Sequence, residues 1–287
     1  MKISLKRCRI ALILSLLILA KANAQKLEIG ILGGGSYYYG DIVNEWEPQA
    51  ISYSAGVFAR YHLSENMAIK GFFGYCKVVG SDSNSTSEWQ QKRNLSFWAD
   101  IVEGSVQFEY SLVKDITRGR RLRNRVIPYV FAGIGGMYFW NYGPAPVPWS
   151  GGGVGSTVPL WGLGDGGVIY NQFAVTLPFG VGVRVKVSQS VNIGFEFGAR
   201  YTTTSYIDDV AGPSEKFVDP SLLKYDISRK MVYGPSKIEG WAYPGKQRGK
   251  IAISDMYFIY GLTLSYRLGL SGGGGYRGKA IRCPRFY

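Results

Sequence analysis

Apolar and polar residues alternate with a period of two along most of the chain, which is typical of β-strands rather than helices. Between 98 and 112, apolar residues such as Trp98 and Phe108 fall on even positions, whereas Glu103 and Glu109 fall on odd ones. The pattern predicts eight strands in all. The alternation recurs clearly over 175–187, 191–201 and 256–268, and more weakly at about 27–39, 51–63, 67–79 and 125–139.

The predicted strands are long. Most have 11 residues or more, whereas strands of soluble proteins average about 5–6 residues and strands that cross a bilayer at a tilt need about 9–11. Length and alternation together predict an all-β fold, an eight-stranded antiparallel transmembrane β-barrel of the outer membrane. A soluble β-sandwich is the alternative, but it does not explain why Arg and Glu recur on one face of several strands.

The connections between the predicted strands alternate in length. Outer-membrane barrels have short periplasmic turns and long extracellular loops, so we expect both ends of the barrel chain to face the periplasm. The short connections are 64–66, 113–124 and 188–190, and the long ones are 40–51, 80–94, 140–171 and 205–253.

The first 24 residues have the composition of a secretory signal peptide. Four basic residues precede an apolar stretch at 10–20, and Ala22 and Ala24 then suit a cleavage site. The mature chain is predicted to begin at Gln25, and a buried N-terminal helix is the alternative interpretation. We divide the chain into a cleaved signal peptide at 1–24, an outer-membrane barrel at 25–268 and a basic Gly-led periplasmic tail at 269–287.

The polar faces of the strands carry charges of both signs. They are expected to point into the lumen, and an eight-stranded barrel is just wide enough for side chains to fill. An unpaired buried charge costs several kcal/mol, so we expect a lumen plugged by salt bridges rather than a charged conduction path. The predicted lumen charge network consists of Glu28, Arg60, Lys70, Glu103, Glu109, Arg184, Lys186, Glu196, Arg200 and Arg267.

Composition agrees with a barrel. The 287 residues include 39 Gly, 21 Tyr and 14 Phe, and Gly disfavours helices while aromatic residues favour strands. No apolar run approaches the ~18–20 residues of a membrane-spanning helix, which excludes a polytopic helical membrane protein. Near the outer strand ends we expect an aromatic girdle, made of Tyr37, Tyr38, Tyr39, Trp89, Trp98, Tyr138 and Trp140.

The formal net charge of +13 suggests nucleic-acid binding until the charges are located. Five basic residues belong to the predicted signal peptide, which leaves +8 for an exported chain that is not expected to meet nucleic acid. The link from Lys114 to Arg125 contributes +5 and the tail contributes +4, so the rest of the mature chain is near neutral.

Both basic segments would face the periplasm, where a surface of one sign can steer and dock an oppositely charged partner. A solvated turn, or a face held near the phospholipid leaflet, is the alternative. The residues predicted to bind the partner are Lys114, Arg118, Arg120, Arg121, Arg123, Arg282, Cys283, Pro284 and Arg285.

Two cysteines remain in the mature chain, Cys76 in the third strand and Cys283 in the tail. A barrel wall of about 25 Å separates their levels, while a disulfide needs Cα atoms within about 7 Å. We therefore expect no internal bridge. An unpaired exported cysteine suggests pairing with another chain, and our hypothesis is a disulfide between Cys283 and a periplasmic partner.

Little in the sequence suggests catalysis. His62 is the single histidine, and Ser64 and Glu65 beside it lie in a predicted turn rather than in the arrangement of a hydrolytic site. The aspartates of the loop 205–253 offer oxygen ligands for Ca²⁺, but turn and cap roles suit their spacing better. The sequence therefore predicts no enzyme, no cofactor and no metal site.

Several segments together resemble a known family. They are Glu28 to Gly30 with Gly33 to Asp41, Arg93 to Phe97 with Asp100 and Ile101, Pro128 to Gly135, Pro178 to Gly182, Tyr206 to Val210 with Val218 to Pro220, Gly261 to Arg267, and Cys283 to Phe286. Over nearly the whole mature chain, the sequence resembles the Bacteroidota outer-membrane β-barrel family that includes the type IX secretion system component PorG. The resemblance implies a non-catalytic anchor that contacts a periplasmic ring lipoprotein.

We therefore expect a structural outer-membrane component of a type IX protein secretion machine, which anchors or docks the ring lipoprotein. The alternative is an outer-membrane ligand-binding or transport barrel of porin-like type with no role in secretion. Such a barrel would use its long outer loops to hold a ligand.

Overall fold

The computed structural model describes residues 27–115, 125–146, 148, 152–161, 170–210, 215–223, 226–233, 235–236, 240–249 and 254–268. Its strands are Leu27–Tyr39 (β1), Ser52–His62 (β2), Met67–Ser81 (β3), Ser96–Ser111 (β4), Val126–Pro144 (β5), Thr157–Pro159 (β6), Phe173–Lys186 (β7), Val191–Thr202 (β8) and Met256–Arg267 (β9). The connections contain the short helices Glu88–Arg93 (α1) and Asp226–Tyr233 (α2), and the 3₁₀ turns Pro48–Ala50, Asp82–Asn84 and Pro220–Leu222. Within these described ranges no helix is long and apolar enough to cross a membrane.

Eight of the strands close into one antiparallel barrel. Each strand pairs with its neighbours in the order β4-β3-β2-β1-β9-β8-β7-β5, and a β4–β5 ladder completes the circle. The first and last strands lie side by side, in a register that sets Glu28 opposite Arg267. The three-residue β6 pairs only with the end of β5. The prediction of an eight-stranded antiparallel barrel is confirmed.

The barrel has one end with short connections and one with long connections. The turn end carries 63–66, 112–125 and 187–190, together with the start of β1 and the end of β9. The loop end carries 40–51, 82–95, 145–172 and 203–255. The strand β5 continues to Pro144, so the loop expected from 140 begins later, because the alternation continues through Tyr142.

Side chains alternate between the outside and the inside of the barrel along every strand. The outward positions are apolar, which is the reverse of the surface of a soluble protein. Each barrel strand has at least one outward apolar residue that is 44–66% exposed. One example from each strand, in chain order, is Ile31, Val57, Phe73, Val106, Ile134, Val181, Phe195 and Leu262.

The inside of the barrel changes character along its axis. The half nearest the turn end is charged, as described below, and the half nearest the loop end is an apolar core. That core runs without a break from strand residues such as Phe97 and Phe139 to loop residues such as Ile42 and Ile207, all of them 2% exposed or less. The loops are therefore packed onto the barrel by the same core that fills its outer half.

Two aromatic residues lie elsewhere than the predicted girdle. Tyr38 points inward and is fully buried, because it is out of phase with Tyr37 and Tyr39. Tyr37 is only 7% exposed, since the ring of Trp46 packs on it with centroids 5.2 Å apart. Trp89 lies on α1 among the loops, where it packs edge-on against Trp241 with ring centroids 5.8 Å apart. The girdle prediction was wrong for these two residues, and the period of two explains Tyr38.

Candidate functional site

Charged side chains fill the interior of the barrel at the turn end. All ten charges of the predicted lumen network point inward, and each is 6% exposed or less. Eight of them form one ion-paired group with His62 and Asp115, which we call the plug. Its members are Glu28, Arg60, His62, Lys70, Glu109, Asp115, Arg184, Lys186, Glu196 and Arg267.

Arg60 on β2 is the centre of the plug. Its Nε and Nη2 donate to the two carboxylate oxygens of Glu109 at 2.6 and 3.1 Å, and its Nη1 donates to Glu28 Oε1 at 2.6 Å. Two parallel bonds between a guanidinium and a carboxylate are a strong, directional geometry. The contact ties β1, β2 and β4 together inside the lumen.

Lys70 and Glu196 extend the plug across the lumen. Lys70 on β3 donates to both carboxylate oxygens of Glu196 on β8 at 2.8 and 2.7 Å, and its Nζ lies 3.5 Å from Glu109 Oε1. The Tyr129 hydroxyl on β5 donates to Glu196 Oε2 at 2.8 Å. Since β3 and β8 stand on opposite sides of the barrel, this pair spans the bore.

Asp115 closes the plug at the turn end, and sequence reasoning missed its role. It is buried, with oxygens 3.1, 2.6 and 2.7 Å from the side-chain nitrogens of Arg184, Lys186 and Arg267. Burial alone would raise the pKa of Asp115, but the charges of Arg267 and Arg184 outweigh burial and hold this pKa below its usual range. The sequence did carry a signal for this role. The odd-numbered residues of β4, such as Glu109, point inward, and Asp115 continues that odd-numbered series beyond the strand.

His62 belongs to the plug, and the turn that follows it is held by hydrogen bonds to Ser64. His62 Nε2 lies 2.9 Å from Glu28 Oε2 and 3.1 Å from Arg267 Nη2. Ser64 Oγ accepts hydrogen bonds from the backbone amides of Asn66 and Met67 at 3.3 and 3.1 Å. Ser64 therefore stabilises the turn between β2 and β3, and His62 is oriented by charged neighbours inside the barrel.

Glu103 and Arg200 form a second buried pair nearer the loop end. Arg200 Nε donates to Glu103 Oε2 at 3.2 Å, and the Tyr257 hydroxyl donates to the same oxygen at 2.8 Å. Arg200 Nη1 donates to the carbonyl oxygen of Gly198 at 2.7 Å. All three side chains are 1% exposed or less. Beyond them most buried side chains are apolar, although three polar ones are also buried there, Asn141, Thr176 and Thr202.

The arrangement seals the described barrel. Ion pairs cross the turn-end half, and packed apolar side chains fill the loop-end half. Removing one partner from a buried pair leaves an uncompensated charge and costs about 3–5 kcal/mol, so these side chains are not free to swing aside. Within the described residues, the interior of the barrel is a cross-linked core of buried side chains.

Two buried arginines join the loops at the other end. Arg93 donates to both carboxylate oxygens of Asp82 at 2.7 Å, and to the carbonyl oxygens of Arg248 and Asp41 at 2.6 and 3.0 Å. Arg248 donates to the carboxylate and the carbonyl of Asp209 at 3.1 and 2.7 Å. Three loops are thereby held together over the barrel mouth, and we call the described parts of the long connections the cap.

The aspartates of the longest loop have structural partners. Asp208 accepts from the backbone amides of Ile42 and Val210 at 3.1 and 3.0 Å. Asp219 accepts from the amide of Ser221 at 2.8 Å. These are the turn and cap roles that the sequence favoured over calcium binding for this loop.

Several buried carboxyl groups of the cap have raised pKa values, Asp255 and Asp209 among them. Burial raises the pKa of Asp255 to about 8, although the Tyr38 hydroxyl and the Ile207 amide donate to it at 2.7 and 2.8 Å. Burial also raises the pKa of Asp209 to about 6, against the opposing effect of Arg248. The cap thus contains acids that titrate in a physiologically accessible range.

The structure describes one of the predicted partner-binding residues. Lys114 is exposed, with its Nζ 4.0 Å from Glu65 Oε2. The other predicted contacts lie outside the described residues: Arg118, Arg120, Arg121, Arg123, Arg282, Cys283, Pro284 and Arg285. Cys76 is free and buried inside β3, and the disulfide hypothesis for Cys283 stays a prediction.

The sequence matches one family model. That model, described as a domain of unknown function (DUF6089), matches residues 7–143, which is just under half of the chain. No curated protein sequence matches the chain.

The chain is similar in structure to several solved outer-membrane proteins. Neisserial surface protein A is 9% identical, with a TM-score of 0.41 over 85% of this chain and 97% of that one. Ail of Yersinia pestis, solved with the heparin analogue sucrose octasulfate, is 10% identical, with a TM-score of 0.38 over 84% and 96%. A major outer membrane protein from Thermus thermophilus is 14% identical, with a TM-score of 0.40 over 84% and 98%.

Proposed function

We propose that this chain is an outer-membrane β-barrel that works as a structural anchor and docks a periplasmic protein at its turn end. The observation that carries the proposal is the sealed interior, with ion pairs such as Arg60–Glu109 and Lys70–Glu196 across the bore. A barrel of eight strands whose bore is filled by paired side chains is poorly suited to conduct solutes. Its ends and its outer wall are then the parts that can act.

The outer wall supports a location in a bilayer. Every barrel strand exposes apolar side chains outward, and contiguous apolar patches beyond a few hundred Å² are rare on soluble monomers. A closed barrel also pairs its backbone groups, as a hydrocarbon environment requires. Outward aromatic residues near the loop end support an interfacial girdle there, namely Tyr39, Trp98, Tyr138 and Trp140.

The two kinds of connection support an orientation with the turn end in the periplasm. Outer-membrane barrels have short periplasmic turns and longer extracellular loops, and this barrel has its short and long connections on opposite ends. The predicted signal peptide at 1–24 is consistent with export. In this orientation the periplasm is on the side of the turn end, where β4 ends before the link and β9 ends before the tail.

The charge distribution supports docking at the turn end. The link and the tail contribute +5 and +4 of the charge in the sequence. The acid of the link, Asp115, is turned into the barrel toward Arg184, Lys186 and Arg267. Because this carboxylate serves the plug, the basic residues that follow it in the link are less compensated than the sequence sum implies, and they suit an acidic partner.

We further propose that the partner is a periplasmic ring lipoprotein of a type IX protein secretion machine. The support is the resemblance of the sequence motifs to the barrel family that includes PorG. In this proposal the chain has no catalytic role, and Cys283 can add a disulfide to contacts made by Arg120, Arg121 and the other basic residues.

Co-purification of the tagged full-length chain from detergent-solubilised outer membranes tests the proposal. We expect the ring lipoprotein to co-purify, and its capture by the parent chain to weaken as salt rises, because salt screens the attraction between exposed charges. The variant Arg120→Glu/Arg121→Glu should capture less of the lipoprotein at low salt. The matched control Lys92→Glu/Arg229→Glu reverses two charges at the loop end and should leave capture unchanged. A Cys283→Ser variant should lose any disulfide-linked complex that reductant dissociates in the parent chain.

Measuring protein secretion in a strain that lacks this chain can contradict the proposed type IX role. A deletion strain that secretes proteins with C-terminal sorting domains at normal levels would overturn the type IX assignment. Equal capture of the lipoprotein by both charge-reversal variants would overturn docking through the basic link.

A ligand-binding role for the cap is the second candidate. The observation in its favour is a cavity of about 200 Å³ between the cap and the barrel mouth, lined by apolar residues such as Leu160 and Met231 and by Asp208. The sealed interior weighs against transport but not against binding there. Retention of a small molecule after purification, lost on Met231→Trp, would favour this function.

A further inference from the structure

The first loop of the cap holds a buried carboxylate without a hydrogen-bonding or ionic partner among the described residues. Glu47 is 4% exposed, and neither of its carboxylate oxygens lies within hydrogen-bonding distance of a donor described here. Other buried acids of the cap differ, since Asp82 pairs with Arg93 and Asp209 with Arg248. Burying an isolated carboxylate costs so much that such groups are normally paired, protonated or bound to a metal.

The backbone keeps Glu47 in place. The Tyr37 hydroxyl accepts a hydrogen bond from the Glu47 amide at 3.0 Å and donates to the Glu45 carbonyl at 2.6 Å. The Glu47 carbonyl accepts from the Ala50 amide at 2.9 Å, at the start of the 3₁₀ turn Pro48–Ala50. The backbone of the loop is thus fixed to β1, and the side chain of Glu47 is buried.

A second acceptor in the same loop is also buried without a donor. Asn44 Oδ1 is inaccessible to solvent and has no hydrogen-bonding partner among the described residues. The charged neighbours of Glu47 are acidic: burial first, and then Asp82 and Glu45, raise the pKa of Glu47 to about 6. The loop therefore holds two residues, three positions apart in the sequence, whose buried acceptor oxygens have no donor among the described residues, and the acids Asp82 and Glu45 make the field at Glu47 negative.

We propose that this loop binds a divalent cation, Ca²⁺, with the Glu47 carboxylate and Asn44 Oδ1 as ligands. Calcium takes carboxylate and amide oxygens, backbone carbonyls and water in a flexible geometry. Asp82 and Glu45 add to the negative field rather than to the ligand set, because Arg93 occupies both Asp82 oxygens and Thr86 donates to Glu45 at 2.5 Å.

The ligand set implies a weak site. Among the described residues no group of three or more His, Cys, Asp or Glu side chains is placed to hold a metal, so one carboxylate and one amide oxygen would be completed by water and backbone oxygens. Extracellular calcium modules bind at about 10⁻⁴–10⁻³ M, and we expect the same range here. A loop facing the cell exterior meets calcium at such concentrations.

Calorimetric titration with CaCl₂ tests the proposal. It uses the purified full-length barrel in detergent at about pH 8, so that Glu47 is ionised. We expect binding of one Ca²⁺, weakened more than tenfold by Glu47→Gln and several-fold by Asn44→Ala. The matched control Glu88→Gln removes an exposed acid of the neighbouring loop and should bind as the parent chain does.

Terbium luminescence gives a second readout if Glu47→Gln does not fold. Trp46 lies beside Glu47 in the sequence and is 72% exposed, so it should sensitise Tb³⁺ in the site, and added Ca²⁺ should quench the emission. Trp46→Phe should lose the emission and keep the calcium affinity. Absence of calcium binding at about pH 8 would overturn the proposal. Equal calcium affinity in the parent chain and a folded Glu47→Gln variant would also overturn it, because the ion would then bind elsewhere.

Discussion

At the scale of single residues, the barrel interior depends on carboxylates that several bases share. Glu109 is the clearest case, because Arg60, Lys70 and Arg184 all lie within 3.5 Å of its oxygens. Each of these bases keeps at least one other carboxylate, but the plug as a whole loses a negative charge that three bases share when Glu109 is removed. The effect of losing it should therefore exceed that of losing any exposed pair.

Replacing Glu109 by Gln should lower the free energy of unfolding by about 3–5 kcal/mol, because three buried bases lose their shared counter-charge. Urea-dependent folding into lipid vesicles, followed by tryptophan fluorescence, measures the change. The control Glu88→Gln removes an exposed partner of Lys92 and should change stability by less than about 1 kcal/mol. Equal effects of the two variants would show that the plug contributes little.

The buried acid Asp255 makes the cap sensitive to pH. Its pKa is raised in the folded chain to about 8, above the unfolded value, so the folded cap binds a proton more tightly than the unfolded segment. Cap stability is then greatest below about pH 4 and falls as pH rises toward about 8. Hydrogen exchange of 203–210, corrected for the intrinsic rate, should be at least about a hundredfold less protected at pH 8 than at pH 5.

The variant Asp255→Asn separates this effect from others. Its amide can still accept from the Ile207 amide and bond the Tyr38 hydroxyl, while it cannot ionise. We expect the pH dependence to shrink markedly in Asp255→Asn and to persist in Asp219→Asn, which alters an exposed turn. An unchanged slope in Asp255→Asn would contradict the assignment.

Residue parity along the strands predicted which charges point inward, but it could not predict their partners. Lys70 and Glu196 are 126 positions apart, and they meet only because the closed barrel sets β3 opposite β8. Asp115 was assigned to the basic link because its strand had ended by then, although its parity was that of the inner face. Glu47 and Asp82 lie in loops, where no periodicity reports which way a side chain points.

At the scale of elements, the strands fit together by pairing inward aromatic rings with inward glycines. A Cβ built on Gly182 of β7 would lie 2.3 Å from the Tyr129 ring of β5, and Tyr129 in turn bonds Glu196. Glycine is required here because the aromatic ring crosses the neighbouring strand where a side chain would stand.

Gly182→Val should therefore destabilise the barrel by about 1–3 kcal/mol through overpacking. Gly33 on β1 is the matched control, because a Cβ added there meets no atom within 4 Å, so Gly33→Val should fold as the parent does. Heat-dependent mobility on SDS gels and urea titration both measure the difference. Similar midpoints for the two variants would contradict the ring-over-glycine packing.

The strands were predictable as elements because their alternation is long and regular, whereas the cap was not. Its helix Asp226–Tyr233 and the turns around it are short, and the helix is positioned by packing of Ile227 and Met231 onto the core rather than by local pattern. Three-residue β6 exists only because the extended end of β5 offers it a partner.

At the scale of the whole molecule, the described chain is a barrel with a filled interior and a folded cap at one end. Purified chain reconstituted into planar bilayers should give no porin-like current steps, because ion pairs and an apolar core fill the bore. A porin reconstituted in parallel controls for insertion. Regular single-channel steps from the parent chain would contradict the sealed interior.

We propose that the turn end docks a periplasmic protein and that the loop end does not, and site-specific photo-crosslinking in intact cells distinguishes the two ends. A photoreactive residue is placed at Gln189, exposed in the β7–β8 turn, or at Gln49, exposed in the first outer loop. The account predicts an adduct with one periplasmic lipoprotein from position 189, lost in Arg120→Glu/Arg121→Glu, and none from position 49. Adducts from position 49 alone, or an adduct at 189 that charge reversal leaves unchanged, would contradict it.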